Sequence, residues 1–315
     1  MKKASLYIDT DMGVDDILAI CMIIASNKFL IRGISVVNGV ATLSRGIKNL
    51  NRLLTYLNIS CPIYVGSKQS EQGSSVQFPT IDRKRANTLA LLAGIKLPTV
   101  GRNLLVPLLE AKHTLQKNLQ ASTLFAIGPL TNIVMLTNMS VINKRINRMV
   151  IMGGNVNVPG IVPPLLRTEY NIRLDPAAAN KIFNSGLPVT LIPLDATKQT
   201  PTNLKNVKGK TKQSLVQFYQ QLEKIKPASR TGLIMKNIIK NNEGDFNNFY
   251  DPLAAAILID PTLITEQLVG NISVSQTKKT LGTITYTPQI QSNNKIVLRV
   301  NAQKFYQTLI KLIKK

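Results

Sequence analysis

Four carboxylates crowd the stretch Asp9-Thr10-Asp11-Met12-Gly13-Val14-Asp15-Asp16, in a chain with only 16 acidic residues in all. Carboxylates this close repel one another, and a hard divalent cation is the simplest way to keep them all ionised. Donors of this kind suit Ca²⁺ or Mg²⁺. A helix N-terminus would accommodate Asp15 and Asp16 by its dipole alone. It does not account for Asp9 and Asp11, which precede the helix in a chain of net charge +23. The chemistry this spacing points to is metal binding.

The elements that must hold these groups follow from the flanking residues. Ala4 to Ile8 is apolar and β-favouring and reads as a buried strand. Ile17 to Ile24 reads as a buried helix that opens at Asp15 or Asp16. The carboxylates therefore stand at the carboxyl end of a strand, where ligands bind in open α/β sheets. Ile31 to Val37 reads as a second strand ending at Asn38-Gly39-Val40, Leu43 to Leu57 as a helix, and Ile63 to Val65 as a third strand. This β-α-β-α-β order predicts a parallel sheet with right-handed crossovers.

Further along, Ser67 to Arg85 is polar and without periodicity, a candidate lid loop. Leu104 to Leu119 reads as a helix carrying the single histidine, His113, as a surface residue. Ser122 to Ile127, Arg148 to Met152 and Val189 to Leu194 read as strands. Asp175-Pro176 and Asp251-Pro252 both read as an Asp cap followed by Pro at the helix start. Two helices are expected between Pro201 and Asn248, antiparallel β structure from about Val269 to Val300, and an amphipathic helix from Ala302 to Lys315. The expected fold is one α/β domain over residues 1–315: an open, mostly parallel twisted sheet flanked by helices, with a small antiparallel C-terminal portion.

Composition bounds the function. Hydrophobic residues make up 44% and charged residues 17%, ordinary for a globular protein with a sizeable core. Cys21 and Cys61 lie in apolar surroundings and imply no disulfide framework. The first residues run straight into strand and acidic box without a signal-peptide pattern, and no apolar run is long enough for a membrane span. The expectation is a soluble cytoplasmic protein without a membrane partner. The basic residues are scattered, with small clusters at Arg83-Lys84-Arg85, Lys205 to Lys212 and the C-terminal lysines. Aromatic residues are only 5% and do not interleave with them, which argues against a nucleic-acid partner.

The acidic box, Asp-Thr-Asp-x-Gly-x-Asp-Asp after a first strand, resembles the signature of the nucleoside hydrolases of the inosine-uridine preferring type. Met12 stands where that family usually has Pro. A haloacid-dehalogenase phosphatase also opens with Asp-x-Asp after a strand, but it wants Thr or Val where this chain has Gly13, and it leaves Asp15-Asp16 unexplained. The resemblance extends in order through Gly128-Pro129-Leu130-Thr131-Asn132, Met152-Gly153-Gly154, Glu169-Tyr170-Asn171, Asp175-Pro176-Ala177-Ala178, Leu194-Asp195-Ala196-Thr197 and Asp251-Pro252-Leu253-Ala254. It implies calcium-dependent hydrolysis of the N-glycosidic bond of a ribonucleoside or related ribosyl compound. By the same resemblance, Asp11, Asp16, Asp251 and the Thr131 carbonyl hold Ca²⁺, and Asp15 is the general base. Asp9 orients its neighbours, and Glu169 and Asn171 grip the sugar. A homo-oligomer, dimer or tetramer, is the further implication.

Three positions depart from the family pattern. Gly39 is followed by Val40 where the family usually has a ribose-binding Asn, leaving the preceding Asn38 as the only nearby candidate. Pro159-Gly160 is followed by Ile161 where the family often has Asn. Tyr250 precedes Asp251 where the family often has a His able to protonate the leaving base, so Tyr250 becomes the candidate for that role. The resulting expectation is an active hydrolase with altered substrate preference. The alternative is a homologue that binds metal and ribose without turnover, with Asp15 arguing for the enzyme. A phosphatase is the last choice.

Overall fold

Strand β1 (Ala4–Thr10) is buried from Leu6 onward. Its side chains alternate as the two-residue period of a strand requires: Leu6 and Ile8 enter one apolar core and Tyr7 the other. The computed structural model describes residues 3–70, 77–110, 122–137, 146–242 and 244–315. Within them β1 is a central strand of one ten-stranded sheet. The other strands are β2 (Phe29–Val36), β3 (Ile63–Val65), β4 (Leu105–Pro107), β5 (Ser122–Ala126), β6 (Ile146–Met152), β7 (Val189–Ile192), β8 (Ile264–Val274), β9 (Ile284–Pro288) and β10 (Asn294–Val300).

The sheet order is β4-β3-β2-β1-β5-β6-β7-β10-β8-β9. Every pairing from β4 to β10 is parallel. Only β8 and β9 run antiparallel to their neighbours, at the edge. The expected α/β class with a small antiparallel C-terminal portion is what the structure shows. Within that portion β10 also extends the parallel sheet beside β7. From β1 the chain winds outward through β2, β3 and β4, then returns to the other side of β1 at β5 and winds the opposite way. The β1–β5 boundary is therefore the topological switch point, where a crevice opens at the carboxyl ends of the strands.

The described helices are α1 (Val14–Ser26), α2 (Leu43–Tyr56), α3 (Thr80–Thr88), α4 (Thr131–Thr137), α5 (Tyr170–Leu174), α6 (Pro176–Phe183), α7 (Leu194–Thr197), α8 (Gly209–Lys224), α9 (Arg230–Asn241), α10 (Tyr250–Ile259) and α11 (Ala302–Lys314). Two of them place the site. α1 is buried continuously from Asp16 to Ile23, and α10 from Asp251 to Ile259. A helix apolar all round belongs inside the protein, and these two pack against each other. Their first turns carry Asp15, Asp16 and Asp251.

Three expectations are corrected. Leu105–Pro107 is an edge strand beside β3 rather than the start of a helix; a short apolar run does not distinguish the two, and a sheet edge tolerates Pro. Residues 108–110 are helical, as expected, and the remainder of that segment, 111–119 with His113, lies outside the described residues. The polar stretch from Ser67 to Arg85 is not loop throughout: α3 begins directly after Pro79, and residues 71–76 lie outside the described set. Asp251 is not a helix cap, because α10 starts at Tyr250 with Phe249 as its cap.

Candidate active site

The acidic box is held by a network reaching in from both sides of β1. Asp9 is fully buried; its Oδ1 accepts from Asn132 Nδ2 at 2.8 Å and from the Ser35 hydroxyl, while Oδ2 has no partner among the described residues. It thereby ties β1 to β2 and to the start of α4. Burial pushes its carboxyl up to about 7. The Thr10 hydroxyl donates to Asp16 Oδ1, and the Gly13 N–H donates to Asp16 Oδ2 at 2.9 Å. Met12, at φ 57 and buried, takes the left-handed conformation that makes this turn, a costly one for a side chain of its size.

Asp11 is fixed by the loop after β2. The Val40 N–H donates to its Oδ2 at 2.8 Å. Gly39 is required beside it, since a Cβ there would lie 2.0 Å from the same oxygen.

Asp15, Asp16 and Asp251 bring carboxylate oxygens within 4.8 Å of one another. Asp16 and Asp251 are buried, whereas Asp15 is half-buried. Burial, and then the charge of Asp16, push Asp15 up to about 7. Burial followed by neighbouring carboxylates raises Asp11 and Asp251 well above the usual range. The described ion pairs do not include any of these four groups. An all-oxygen set of mutually repelling carboxylates, without a Lys or Arg ion-pair partner among the described residues, fits a divalent cation.

The opposite wall comes from the segment after β6. Glu169 accepts from the Gly154 N–H at 2.7 Å, the Asn171 N–H at 2.8 Å and the Ile172 N–H at 3.3 Å, and so caps α5. Burial raises its carboxyl while these backbone donors lower it. Asn171 Nδ2 donates to the Met152 carbonyl at 3.2 Å. Thr131 donates its hydroxyl to Asp175 Oδ2 at 2.6 Å, which anchors the turn after β5 to the start of α6. Asn248 Nδ2 donates to Tyr250 Oη at 3.3 Å. Burial, with the charges of Asp15 and Glu169 adding to it, raises the Tyr250 phenol so that it stays protonated.

Asp11, Asp15, Asp16, Glu169, Asn171, Tyr250 and Asp251 all line one cavity of about 460 Å³, a size suited to a small-molecule ligand. Three other candidates are not among its lining residues. Asp9 and Thr131 brace it as described, and Asn38 Oδ1 accepts from the Leu43 N–H at 3.3 Å. Val40 and Ile161, two of the positions that depart from the family pattern, do line it.

Sequence reasoning missed other parts of the wall. Phe78 and Tyr170 stack at 4.2 Å between ring centroids, and Arg85 pairs with Asp245 at 2.6 Å. Tyr170 was visible in Glu-Tyr-Asn, but Phe78 sat in a stretch read as loop. Nothing in the spacing of Arg85 and Asp245 joins them.

Fold and site together define an α/β protein with a carboxylate cluster at the switch point of a parallel sheet. The chain belongs to the inosine-uridine preferring nucleoside hydrolase family, whose model matches residues 6–307. It is 31% identical over 202 residues to the non-specific ribonucleoside hydrolase RihC of Escherichia coli O127:H6, covering 62% of this chain and 63% of that protein. It is 31% identical over 208 residues to the pyrimidine-specific ribonucleoside hydrolase RihB of Escherichia coli O17:K52:H18, covering 64% and 62% respectively. The matched region thus spans less than two thirds of the length of these curated relatives. Among solved structures, the purine-preferring ribonucleoside hydrolase from Gardnerella vaginalis shares the fold with a TM-score of 0.80 at 23% identity, over 98% of both chains. An inosine-uridine preferring nucleoside hydrolase from Bacillus anthracis shares it with a TM-score of 0.80 at 20% identity, over 99% of both. Among the described residues no helix is long and apolar enough to cross a membrane.

Proposed function

We propose that this protein hydrolyses the N-glycosidic bond of ribonucleosides, giving free base and ribose, with a divalent cation held in the acidic cluster. The observation that carries this reading is the meeting of Asp15, Asp16 and Asp251 within 4.8 Å, with Asp15 the most open of the three. Asp11, Asp16, Asp251 and the Thr131 carbonyl would hold the ion, and Ca²⁺ is the ion this hard, carboxylate-rich set favours. When bound, the ion supplies a Lewis acid that polarises water and sugar hydroxyls.

The chain's own residues then divide the work. Asp15, at about 7, is poised to take a proton from the attacking water near neutral pH. Glu169 and Asn171 hold the ribose hydroxyls and so fix the reacting carbon. Their rigidity comes from the capping bonds to α5 and from the Met152 carbonyl. Tyr250, kept protonated, donates to the departing base. Asp9 holds the box from behind, and Asn38 supports the turn that presents Val40.

The lining by Val40, Ile161, Phe78 and Tyr170 favours a shifted substrate preference. Apolar and aromatic surface there rewards stacking and gives few partners to polar groups on the nucleoside. The test is chromatographic release of free base from a panel of purine and pyrimidine ribonucleosides in Ca²⁺-containing buffer. Release from at least one is expected. Binding of ribose without release from any of them would replace this reading with that of a binding protein.

A further inference from the structure

A second cavity, of about 930 Å³, lies beside the catalytic pocket and is lined by Lys198, Lys205, Lys208 and Lys210. No carboxylate is among its described lining residues; the remaining polar groups are amides and hydroxyls such as Asn203, Asn206 and Thr211. The first turns of two helices, α8 and α11, also contribute to its wall. The positive ends of helix dipoles favour acids, yet α8 has no acidic residue in its first turn and no side-chain cap. Lys208, Lys210 and Lys212 stand there instead, against the dipole and against one another. Such an arrangement costs stability in the free protein, and an anion relieves it.

We infer that this cavity binds a phosphoryl group, either free phosphate or a phosphorylated sugar. The ammonium groups of Lys205, Lys208 and Lys210 on flexible stems, amide donors and the first-turn N–H groups of α8, which lack a side-chain cap, together match the several acceptor oxygens of a phosphate; Lys198 already donates to the Pro159 carbonyl at 2.6 Å, and Asn301 caps α11. The placement is specific. Asn247 lines both this cavity and the catalytic pocket, and its carbonyl accepts from the Thr202 N–H at 3.0 Å. The neighbouring Asn248 lines the basic cavity and donates to Tyr250 Oη. An occupant therefore rests on the segment that holds a wall of the catalytic pocket. The inference concerns binding alone and stands apart from the hydrolase reading.

The experiment is calorimetric titration of the full chain at low salt with a chelator present, using inorganic phosphate, ribose 5-phosphate and a single-stranded oligonucleotide as separate probes. Lys205, Lys208 and Lys210 are exposed, so the triple variant K205Q/K208Q/K210Q leaves the core untouched. K278Q/K279Q/K311Q removes the same charge from exposed positions elsewhere. Saturable one-to-one phosphate binding is expected, weakened about tenfold or more by the first variant and little by the second. Tighter binding of ribose 5-phosphate identifies a phosphorylated sugar as the ligand, and equal binding identifies free phosphate. The inference is overturned by absence of saturable binding, by equal loss in both variants, or by oligonucleotide binding far tighter than either small anion.

Discussion

Asp16 and Asp251 bring carboxylate oxygens within 4.8 Å of each other although they arrive on different helices, α1 and α10. Two buried carboxylates this close repel each other unless a proton or a cation stands between them. The pairing is a direct consequence of burying side by side two helices that are apolar beyond their first turns. Proton and cation therefore compete for one position.

Asp15→Asn should separate chemistry from binding. Amide and carboxylate are nearly isosteric, but the amide cannot accept a proton. Turnover is expected to fall by about 10²–10⁴, while ribose binding, measured by titration, persists. Unchanged turnover would remove Asp15 as the base.

Tyr250→Phe keeps the ring and deletes the donor. With natural ribonucleosides kcat should drop by at least about tenfold and KM should change little. An activated aryl riboside, whose leaving group departs as a stable phenolate, should be cleaved by wild type and variant at similar rates. Equal losses on both substrates would mean that Tyr250 shapes the pocket without assisting departure.

Stability should depend on pH with a definite sign. Burial pushes Asp9 and Asp15 up to about 7, whereas the same groups in an unfolded chain titrate near about 4. Between those values the folded state binds more protons than the unfolded state. Their contribution is therefore fully present below the unfolded value and is lost as pH rises through about 7. In chelator, the denaturation midpoint should fall from pH 5 to pH 8; with Ca²⁺ present the fall should shrink or reverse. A midpoint rising with pH in chelator would contradict this assignment.

Gly39→Ala tests the close approach beside Asp11. The added methyl would lie 2.0 Å from Asp11 Oδ2, and overpacking of this kind costs about 1–3 kcal/mol. A lower melting temperature and weaker cation affinity are expected together. A variant with wild-type values of both would show that the Asp11 contact is dispensable.

Much of the site was legible because its signals are local. Four acids in one strand-to-helix turn of a basic chain marked Asp11, Asp15 and Asp16, and the turn and tetrapeptide motifs marked Glu169, Asn171 and Asp251. The parallel sheet followed from the alternation of strand and helix patterns. What escaped is non-local or backbone-borne. The Val40 N–H reaches Asp11 whatever its side chain, so a position read as a lost partner turns out to hold a carboxylate in place. The Arg85–Asp245 pair depends on how α3 meets the segment before α10, which no spacing records. α3 itself presents only Ala86 to the core, too weak a pattern to stand out from loop. β4, three residues long, carries no usable period.

The most direct measurement follows base release from the best ribonucleoside while the cation is removed and restored. Chelation should abolish release, and added Ca²⁺ should restore it in wild type but not in Asp251→Asn at the same concentration. Release that persists undiminished in chelator, or equal recovery in the variant, would contradict a cation held between α1 and α10 as the centre of the chemistry.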